Sequence, residues 1–336
     1  MLTSGLRRLN LLSFFCAISQ ATSALTTYSP IPTQAQGPPL NSAGWRVEHF
    51  GGGAYMVTDN QYQAFFLVST EGVIVVDAPP SIGENMLYAI GNATHIPITY
   101  VIYSHAHTDH IGDAYLYGDS VTRIAQEMTK EILEGTPDAK PPVPNLIFDE
   151  EYTLYLGNQT LHLTYRGPNH QPGNIFIYAP QQKVLMLVDV IEPGWVPFSL
   201  LDDAVSLPGL FKAHDQVLKY DFDHFIGGHV TRSGTRADVT LAREYLNDLK
   251  ANCARAFSLS KQPSNSTNPI SAQEILPAVA AANPGNVFAT FKVILDSVAC
   301  HCNNATKSKW QGKLAGADVF GFENAYKMTF WLNGVL

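Results

Sequence analysis

The chain of 336 residues has little charge, and positive charge is the scarcer sign. Charged residues make up 15% of it, against about 25% in an average soluble protein. Its formal net charge is -8, and no cluster of Lys or Arg lies near the motifs described below. Because proteins that hold a phosphate backbone present basic surfaces, the sequence predicts no nucleic-acid partner and argues against a nuclease.

Cysteine is scarce as well, with four in the chain, and Cys16 lies in the N-terminal apolar segment. In an oxidising compartment Cys253 is expected to pair with either Cys300 or Cys302. A bridge between Cys300 and Cys302 themselves would be strained, since a single residue separates them. Cys300-His301-Cys302 also falls short of the four ligands of a structural zinc site, so it is a weak candidate for a metal site.

A long hydrophobic run is the third feature that the chain lacks. Its strongest apolar stretch, LNLLSFFCAI at 9–18, is too short for a membrane span of about 20 residues. Arg7 and Arg8 precede this stretch, and the small residues after it allow cleavage following Ala21 or Ala24. This order is typical of a signal peptide, which we assign to residues 1–24. It predicts a secreted protein, extracellular or periplasmic, with no membrane partner once the signal is removed.

Secretion has two consequences for the mature chain. Loss of Arg7 and Arg8 leaves 19 basic and 29 acidic residues, a formal charge of -10. Four Asn-X-Ser/Thr sequons predict a glycoprotein in that compartment. These sequons begin at Asn92, Asn158, Asn265 and Asn304.

The remaining chain falls into three segments of different texture. Residues 25–44 are rich in Pro, Gln and Gly and are predicted to form a flexible lead. Strand-like runs rich in Val, Phe and Tyr alternate with helical stretches over residues 45–260, which we assign to one catalytic domain. Apolar residues at helical spacing predict that residues 261–336 form a helical extension packed on the same domain.

Metal-ligating residue types crowd into one short stretch, YSHAHTDHIGD at 103–113, directly after the apolar run ITYVI. His105 and His107 are two residues apart, so in an extended segment their side chains point the same way and can hold one metal ion. Asp109 and His110 come on the turn that follows, where they can face a second ion. Three histidines and an aspartate in six positions indicate a metal site better than ordinary loop residues.

Further candidates lie downstream, close to apolar strand-like runs. His170 is in RGPNHQPGN, Asp189 ends VLMLVD, and His229 ends FIGGH. Taken singly, each is an ordinary loop or capping residue. Loops at one edge of a sheet can nevertheless bring all three to the early cluster.

The motif HxHxDH, here His105-Ala-His107-Thr-Asp109-His110, resembles the signature of the metallo-β-lactamase superfamily. The likeness continues in chain order with Asp77 in GVIVVDAPP and with the three downstream candidates, and it covers about residues 45–230. It implies an α/β fold, an αββα sandwich, with a dinuclear metal centre. On this resemblance the metal ligands are His105, His107 and His170 for one ion, Asp109, His110 and His229 for the other, and Asp189 bridging both.

The resemblance also implies a role for Asp77, the identity of the metal and a catalytic residue. Asp77 is expected to orient the metal-binding loop as a hydrogen-bond acceptor rather than to bind metal. Imidazole and carboxylate ligands without thiolate favour zinc, two ions per chain, with iron or manganese as the alternatives. Zinc lowers the pKa of a bound water towards about 7, which supplies a hydroxide nucleophile. Asp109 is the candidate catalytic residue that assists proton transfer to the leaving group.

Residues near the bridging position narrow the substrate class. Some β-lactamases of the superfamily carry Lys three residues after this position and some lactonases carry Tyr, whereas this chain has Glu192, which would repel a carboxylate. Trp195 and Phe198 are candidates for an apolar substrate wall, with loop packing as the equal alternative.

The sequence thus predicts a zinc-dependent hydrolase that opens a lactam, lactone or ester of a small molecule, with xenobiotic or antibiotic degradation as a suitable role. A glyoxalase II-type thioesterase is the alternative enzyme. A metal-binding protein that keeps the fold without catalysis is the alternative of another class. Fold likeness alone does not choose between these.

Overall fold

The computed structural model describes residues 27–137, 140–265 and 268–334, so the predicted signal peptide lies outside the described residues. The chain divides into two compact units. The first comprises residues 31–246 and 312–316, and the second, among the described residues, comprises 27–30, 247–311 and 317–334.

Two β-sheets form the centre of the first unit. The strands of the larger sheet, in spatial order, are β1 (Arg46–Gly51), β2 (Ala54–Thr58), β3 (Gln63–Val68), β4 (Val73–Val76), β5 (Ile98–Ile102), β6 (Thr122–Gln126) and β7 (Leu146–Phe148). Strands β1 to β4 pair antiparallel, and β4 to β7 pair parallel. The carboxyl ends of β4 and β5 therefore lie at the same edge.

The smaller sheet has five strands. In spatial order they are β12 (His224–Ile226), β11 (Val184–Met186), β10 (Phe176–Ala179), β9 (Gln159–Thr164) and β8 (Glu151–Leu156). Only the β11–β12 pair is parallel, which brings the carboxyl ends of these two strands together.

Six helices are described that begin in the first unit. They are α1 (Asn85–Ala93), α2 (Thr108–Ile111), α3 (Glu127–Gly135), α4 (Ser199–Asp202), α5 (Leu207–Val217) and α6 (Arg236–Ser260), with residues 247–260 of α6 counted in the second unit. Short 3-10 turns occur at Thr33–Ala35 and Ala114–Tyr117.

The sequence of β3, QAFFLV, shows why the unit is layered. Phe65 and Leu67 point into an apolar core shared with the smaller sheet, whereas Ala64 and Phe66 point to a second core that contains residues of α1 and α3. Both faces of the strand are buried, which gives a continuous apolar run instead of an alternating one. On the outer face of the smaller sheet, Phe176 stacks on Tyr220, which follows α5. These layers confirm the αββα sandwich.

Part of the predicted flexible lead is held by hydrogen bonds. The Thr231 hydroxyl donates to the Ala35 carbonyl at 2.9 Å and accepts the Gly37 N–H at 2.8 Å. Arg232 Nε donates to the Gln34 carbonyl at 2.8 Å, and Ala35 is buried. The Pro- and Gln-rich composition gave no sign of these long-range contacts.

The second unit is helical, as the sequence predicts for the C-terminal region. Besides the end of α6 it contains α7 (Ala272–Ala282), α8 (Val287–Trp310) and α9 (Gly321–Asn333). Cys253 on α6 forms a disulfide with Cys302 on α8, one of the two pairings that the sequence left open. Among the described residues, no helix combines the length and the hydrophobicity needed to cross a bilayer.

One buried histidine belongs to the packing and not to the candidate site. His214 on α5 is 1% exposed, and its Nδ1 lies 2.9 Å from the Leu210 carbonyl one turn earlier. Burial lowers the pKa of His214 to about 4. Because the folded state favours neutral His214, this residue contributes stability above its unfolded pKa of about 6.5, and that contribution falls as the pH drops towards 4.

We predict that His214→Leu makes the free energy of unfolding less dependent on pH below neutrality. Between pH 7 and pH 5 the unmodified protein should lose about 2 kcal/mol more free energy of unfolding than the variant, because protonation of this imidazole favours the unfolded chain. Urea unfolding at both pH values measures the difference. Parallel losses in the two proteins would contradict the assignment.

Candidate metal centre

The candidate ligands lie in segments that follow strands, with Asp109 and His110 on the short helix α2. Asp77 comes directly after β4, and the cluster at 105–110 follows β5. Asp189 and His229 lie three residues after β11 and β12, and His170 lies between β9 and β10. Parallel pairing puts the ends of β4 and β5, and those of β11 and β12, at common edges, so residues far apart in the chain meet there.

Four side chains form the first group. Donor atoms of His105, His107, His170 and Asp189 all lie within 4.8 Å of one another. His170 Nε2 is 3.1 Å from His107 Nδ1 and 3.3 Å from Asp189 Oδ2. His105 Nε2 is 3.6 Å from the same carboxylate oxygen. Such a set can hold a metal ion.

The second group lies on the other side of Asp189. It consists of Asp109, His110 and His229, whose donor atoms also lie within 4.8 Å of one another. His110 Nε2 is 3.2 Å from His229 Nε2 and 3.1 Å from Asp189 Oδ2. The other oxygen, Asp189 Oδ1, is 3.2 Å from His229 Nε2. One buried carboxylate thus contacts imidazoles of both groups, and all seven predicted ligands come together.

Hydrogen bonds behind the imidazoles orient their nitrogens. Nδ1 of His170 contacts the Asp202 carbonyl, and Nδ1 of His229 lies 3.0 Å from the Gln61 carbonyl. A carbonyl accepts only, so each Nδ1 carries a proton and each Nε2 is the nitrogen that faces the centre. His105 Nε2 is buried and has no hydrogen-bond partner within the described parts of the chain. With these orientations the imidazoles of both groups suit divalent cations that prefer nitrogen and oxygen ligands.

The pKa values divide the imidazoles into two kinds. Burial lowers the pKa of His105 well below its usual value and also lowers that of His170, so both remain neutral and ready to donate a lone pair. Burial acts the same way on His229, but the hydrogen bond and charge of Asp189 outweigh it and raise the pKa to about 10. A cation bound at His229 therefore displaces a proton.

Asp77 lies behind the cluster. Its Oδ1 accepts the Ser104 N–H at 2.8 Å, next to His105, and burial raises its pKa to about 6. Its backbone is left-handed, with φ of 62°, a conformation that Asp and Asn adopt more readily than most residues. The position suits the loop-orienting role expected from the sequence.

Tyr62 lies at the centre although the sequence does not single it out. Its hydroxyl donates to Asp109 Oδ2 at 3.2 Å, and its ring centroid is 4.4 Å from that of His229. Burial and the Asp109 charge raise the Tyr62 pKa to about 12, so the hydroxyl remains a donor at neutral pH. An isolated Tyr in the turn TDNQYQ carries no sequence signal for such a role.

The two aromatic candidates lie in a row beside the second group. Trp195 and Phe198 have ring centroids 6.2 Å apart, and that of Phe198 is 5.4 Å from His229. After them, Leu200 to Asp203 all have left-handed backbones, with φ between 50° and 57°. This turn carries the Asp202 carbonyl that contacts His170.

The structure corrects the expectation drawn from the charge of Glu192. Its carboxyl group is 2% exposed, and burial raises its pKa well above the usual value. Burial disfavours the charged form of this carboxyl group, which weakens the repulsion of a substrate carboxylate that the sequence predicts. The sequence could not show this, because burial is decided by the fold.

The αββα layers and the paired His/Asp groups define a class of protein with a candidate metal centre at a sheet edge. A family model described as "Metallo-beta-lactamase superfamily" matches residues 57–229, just over half of the chain. The chain belongs to this superfamily, which confirms the resemblance.

The chain is also similar to two known proteins. It is 25% identical over 212 residues to "2,4-dinitroanisole O-demethylase subunit alpha" from Nocardioides sp. (strain JS1661), and the match spans 62% of this chain and 62% of the length of that relative. Among solved structures it is similar to "Metallo-beta-lactamase from Pontibacter korlensis", with 18% identity and a TM-score of 0.53 over 60% of this chain and 99% of that one. The structural likeness shows the fold alone.

We predict that Asp77→Ala weakens metal binding by about 10- to 100-fold, because the Ser104 N–H loses its acceptor and the loop that carries His105 loosens. Asp77→Asn should retain more affinity, since its amide oxygen still accepts and Asn tolerates the left-handed backbone. Competition with a chromogenic chelator measures the affinity. Exposed Asp119→Asn is the control, and equal affinity in all four proteins would refute the role.

Proposed function

We propose that the protein is a secreted metal-dependent hydrolase acting on small molecules, with two zinc ions per chain. The position of Asp189 supports this proposal, because its oxygens lie 3.1–3.6 Å from imidazole nitrogens of both groups. In this proposal the ions are held by His105, His107 and His170, by Asp109, His110 and His229, and by Asp189 between them. Bound cations would polarise a substrate oxygen and lower the pKa of water.

In this proposal a residue of the centre itself carries the proton that the leaving group needs. The side chain of Asp109 is 47% exposed, so it reaches both the centre and the solvent side. Tyr62 holds one of its oxygens by a hydrogen bond, which fixes the carboxylate in place. Asp109 is therefore the group we assign to carry a proton to the departing atom of the substrate.

The row formed by Trp195 and Phe198 sets the substrate class. It places an apolar surface against His229, where a small and largely apolar substrate would lie. We therefore favour the opening of a lactam, lactone or other activated ester, as in the breakdown of a xenobiotic or antibiotic. A thioester of the glyoxalase II type is an alternative acyl substrate.

Similarity to a 2,4-dinitroanisole O-demethylase supports a second candidate reaction. Water would add its oxygen to the electron-poor ring carbon of an activated aryl methyl ether, and the methoxy group would leave as methanol. The ether and water would give a phenol and methanol without any oxidant. The row of aromatic side chains suits a flat substrate of this kind.

We predict that His107→Ala and Asp189→Ala each lower metal content and turnover together, because each removes a donor atom from the cluster. Metal content is measured by plasma mass spectrometry, and turnover with a panel of nitrocefin, a lactone, a thioester and 2,4-dinitroanisole. His162→Ala is the matched control, since this imidazole lies on β9 and contacts Thr153 instead. Full turnover after complete metal removal would contradict the proposal, and metal-loaded protein inert on the panel would favour a substrate outside the panel over a non-catalytic role.

We predict that Phe198→Ala raises KM for apolar substrates by at least about tenfold with little change in kcat, because contact with an apolar wall is made equally in the ground and transition states. Steady-state kinetics on whichever panel member is turned over measures both constants. Phe330→Ala, at an exposed position of α9, is the control. An unchanged KM would assign Phe198 to loop packing.

A further inference from the structure

The connection between α7 and α8 presents an uncharged apolar surface. We call residues 276–288, LPAVAAANPGNVF, the hairpin tip. Every residue in it is exposed except Val279, which is half-buried. No charged residue occurs between Glu274 and Lys292. A run of this length that is exposed, apolar and uncharged is unusual on a protein surface.

Large side chains dominate the exposed area. Phe288 is 79% exposed and Val287 69%, while Phe291 and Leu276 are 46% and 40% exposed. A groove of about 430 Å³ lies between the two helices and is lined mainly by apolar groups, among them Leu276 and Val287. Contact between water and this apolar surface is unfavourable. Covering the tip with other apolar groups therefore lowers the free energy of the protein.

The tip has a defined shape and a fixed support. Asn286 caps α8 by accepting the Ala289 N–H at 3.1 Å, and Gly285 turns the chain with φ of 78°. The disulfide fastens α8 at Cys302, fifteen residues and therefore about 22 Å along the helix from Val287. On α8 the first charged residue after the tip is Lys292, which pairs with Asp296. Apolar residues at the end and charged residues behind them form an amphipathic arrangement.

The size and chemistry of the tip favour lipid over a second protein. A stable protein interface takes about 20–30 residues from each side and several hydrogen bonds, whereas the tip offers thirteen residues and little hydrogen-bonding capacity beyond two Asn side chains. A lipid surface needs no directional partner. The absence of unpaired positive charge at the tip, in a chain of net charge -8, favours zwitterionic over anionic lipid.

We propose that the hairpin tip is a membrane-docking site that inserts Val287 and Phe288, with Phe291 about one turn behind them on α8, into the surface of a zwitterionic phospholipid bilayer. In this proposal the tip lies at the surface of the bilayer. This differs from the expectation, drawn from the sequence, that the mature chain has no membrane partner. The proposal is independent of the hydrolase assignment, because it uses no residue of the metal centre.

The test is flotation of the full chain with phosphatidylcholine vesicles. The unmodified protein should bind, and Val287→Ser/Phe288→Ser should lower the partition coefficient at least about tenfold, because two apolar anchors are lost. Phe330→Ser, a similarly exposed position on α9, is the matched control and should bind normally. All three substituted positions are exposed, and circular dichroism checks that each variant is folded.

Three outcomes would overturn the proposal. The first is no binding of the unmodified protein to phosphatidylcholine, and the second is equal binding by the double variant. The third is binding only when phosphatidylserine is added, which would mean electrostatic attraction and not insertion. Sedimentation equilibrium identifies the competing occupant: a dimer that the double variant abolishes, without vesicle binding, would assign the tip to a second copy of the chain.

Discussion

The candidate centre depends on the burial of one carboxylate among imidazoles. Asp189 is 6% exposed, and burial alone would raise its pKa; the nearby His110, His229 and His105 instead hold the pKa well below its usual range. An ionised carboxylate removed from water needs partners of opposite charge, and here only imidazoles, with protons or bound cations, are close enough. The segments that follow β5, β9 and β12 have to deliver those imidazoles accurately, so the positions of three separate segments are linked to this one group, which follows β11.

That accuracy is obtained partly at the expense of backbone strain. Asp77 and Asp189 are left-handed, and Leu200 to Asp203 form a left-handed turn in which each residue costs about 1–2 kcal/mol. The turn holds the carbonyl that contacts His170, and Asp202 Oδ1 accepts the Phe198 N–H at 2.6 Å. Strain that persists beside a candidate site indicates that the surrounding packing fixes the conformation. The same segment carries the aromatic row that we assign to substrate binding.

Some of the site could be predicted from sequence because its signals are local. HxHxDH places four donors within six residues, and apolar runs near His170, Asp189 and His229 mark the edges of the sheets. The partners behind them gave no such signal. The Gln61 and Asp202 carbonyls act through the backbone, which every residue has, and Tyr62 matters only because the turn between β2 and β3 reaches Asp109. Glu192 looks anionic in the sequence, yet burial raises its pKa and disfavours the charged form.

The sequence by itself determined the layered α/β architecture, the helical C-terminal region and the set of candidate donors, because hydrophobic periodicity and residue chemistry are properties of short segments. Tertiary structure alone decided which nitrogen of each imidazole faces the centre, and that Cys253 pairs with Cys302 and not Cys300. It also decided that the apolar run between α7 and α8 stays exposed instead of entering a core. These outcomes depend on distances between segments far apart in the chain, which no local pattern encodes.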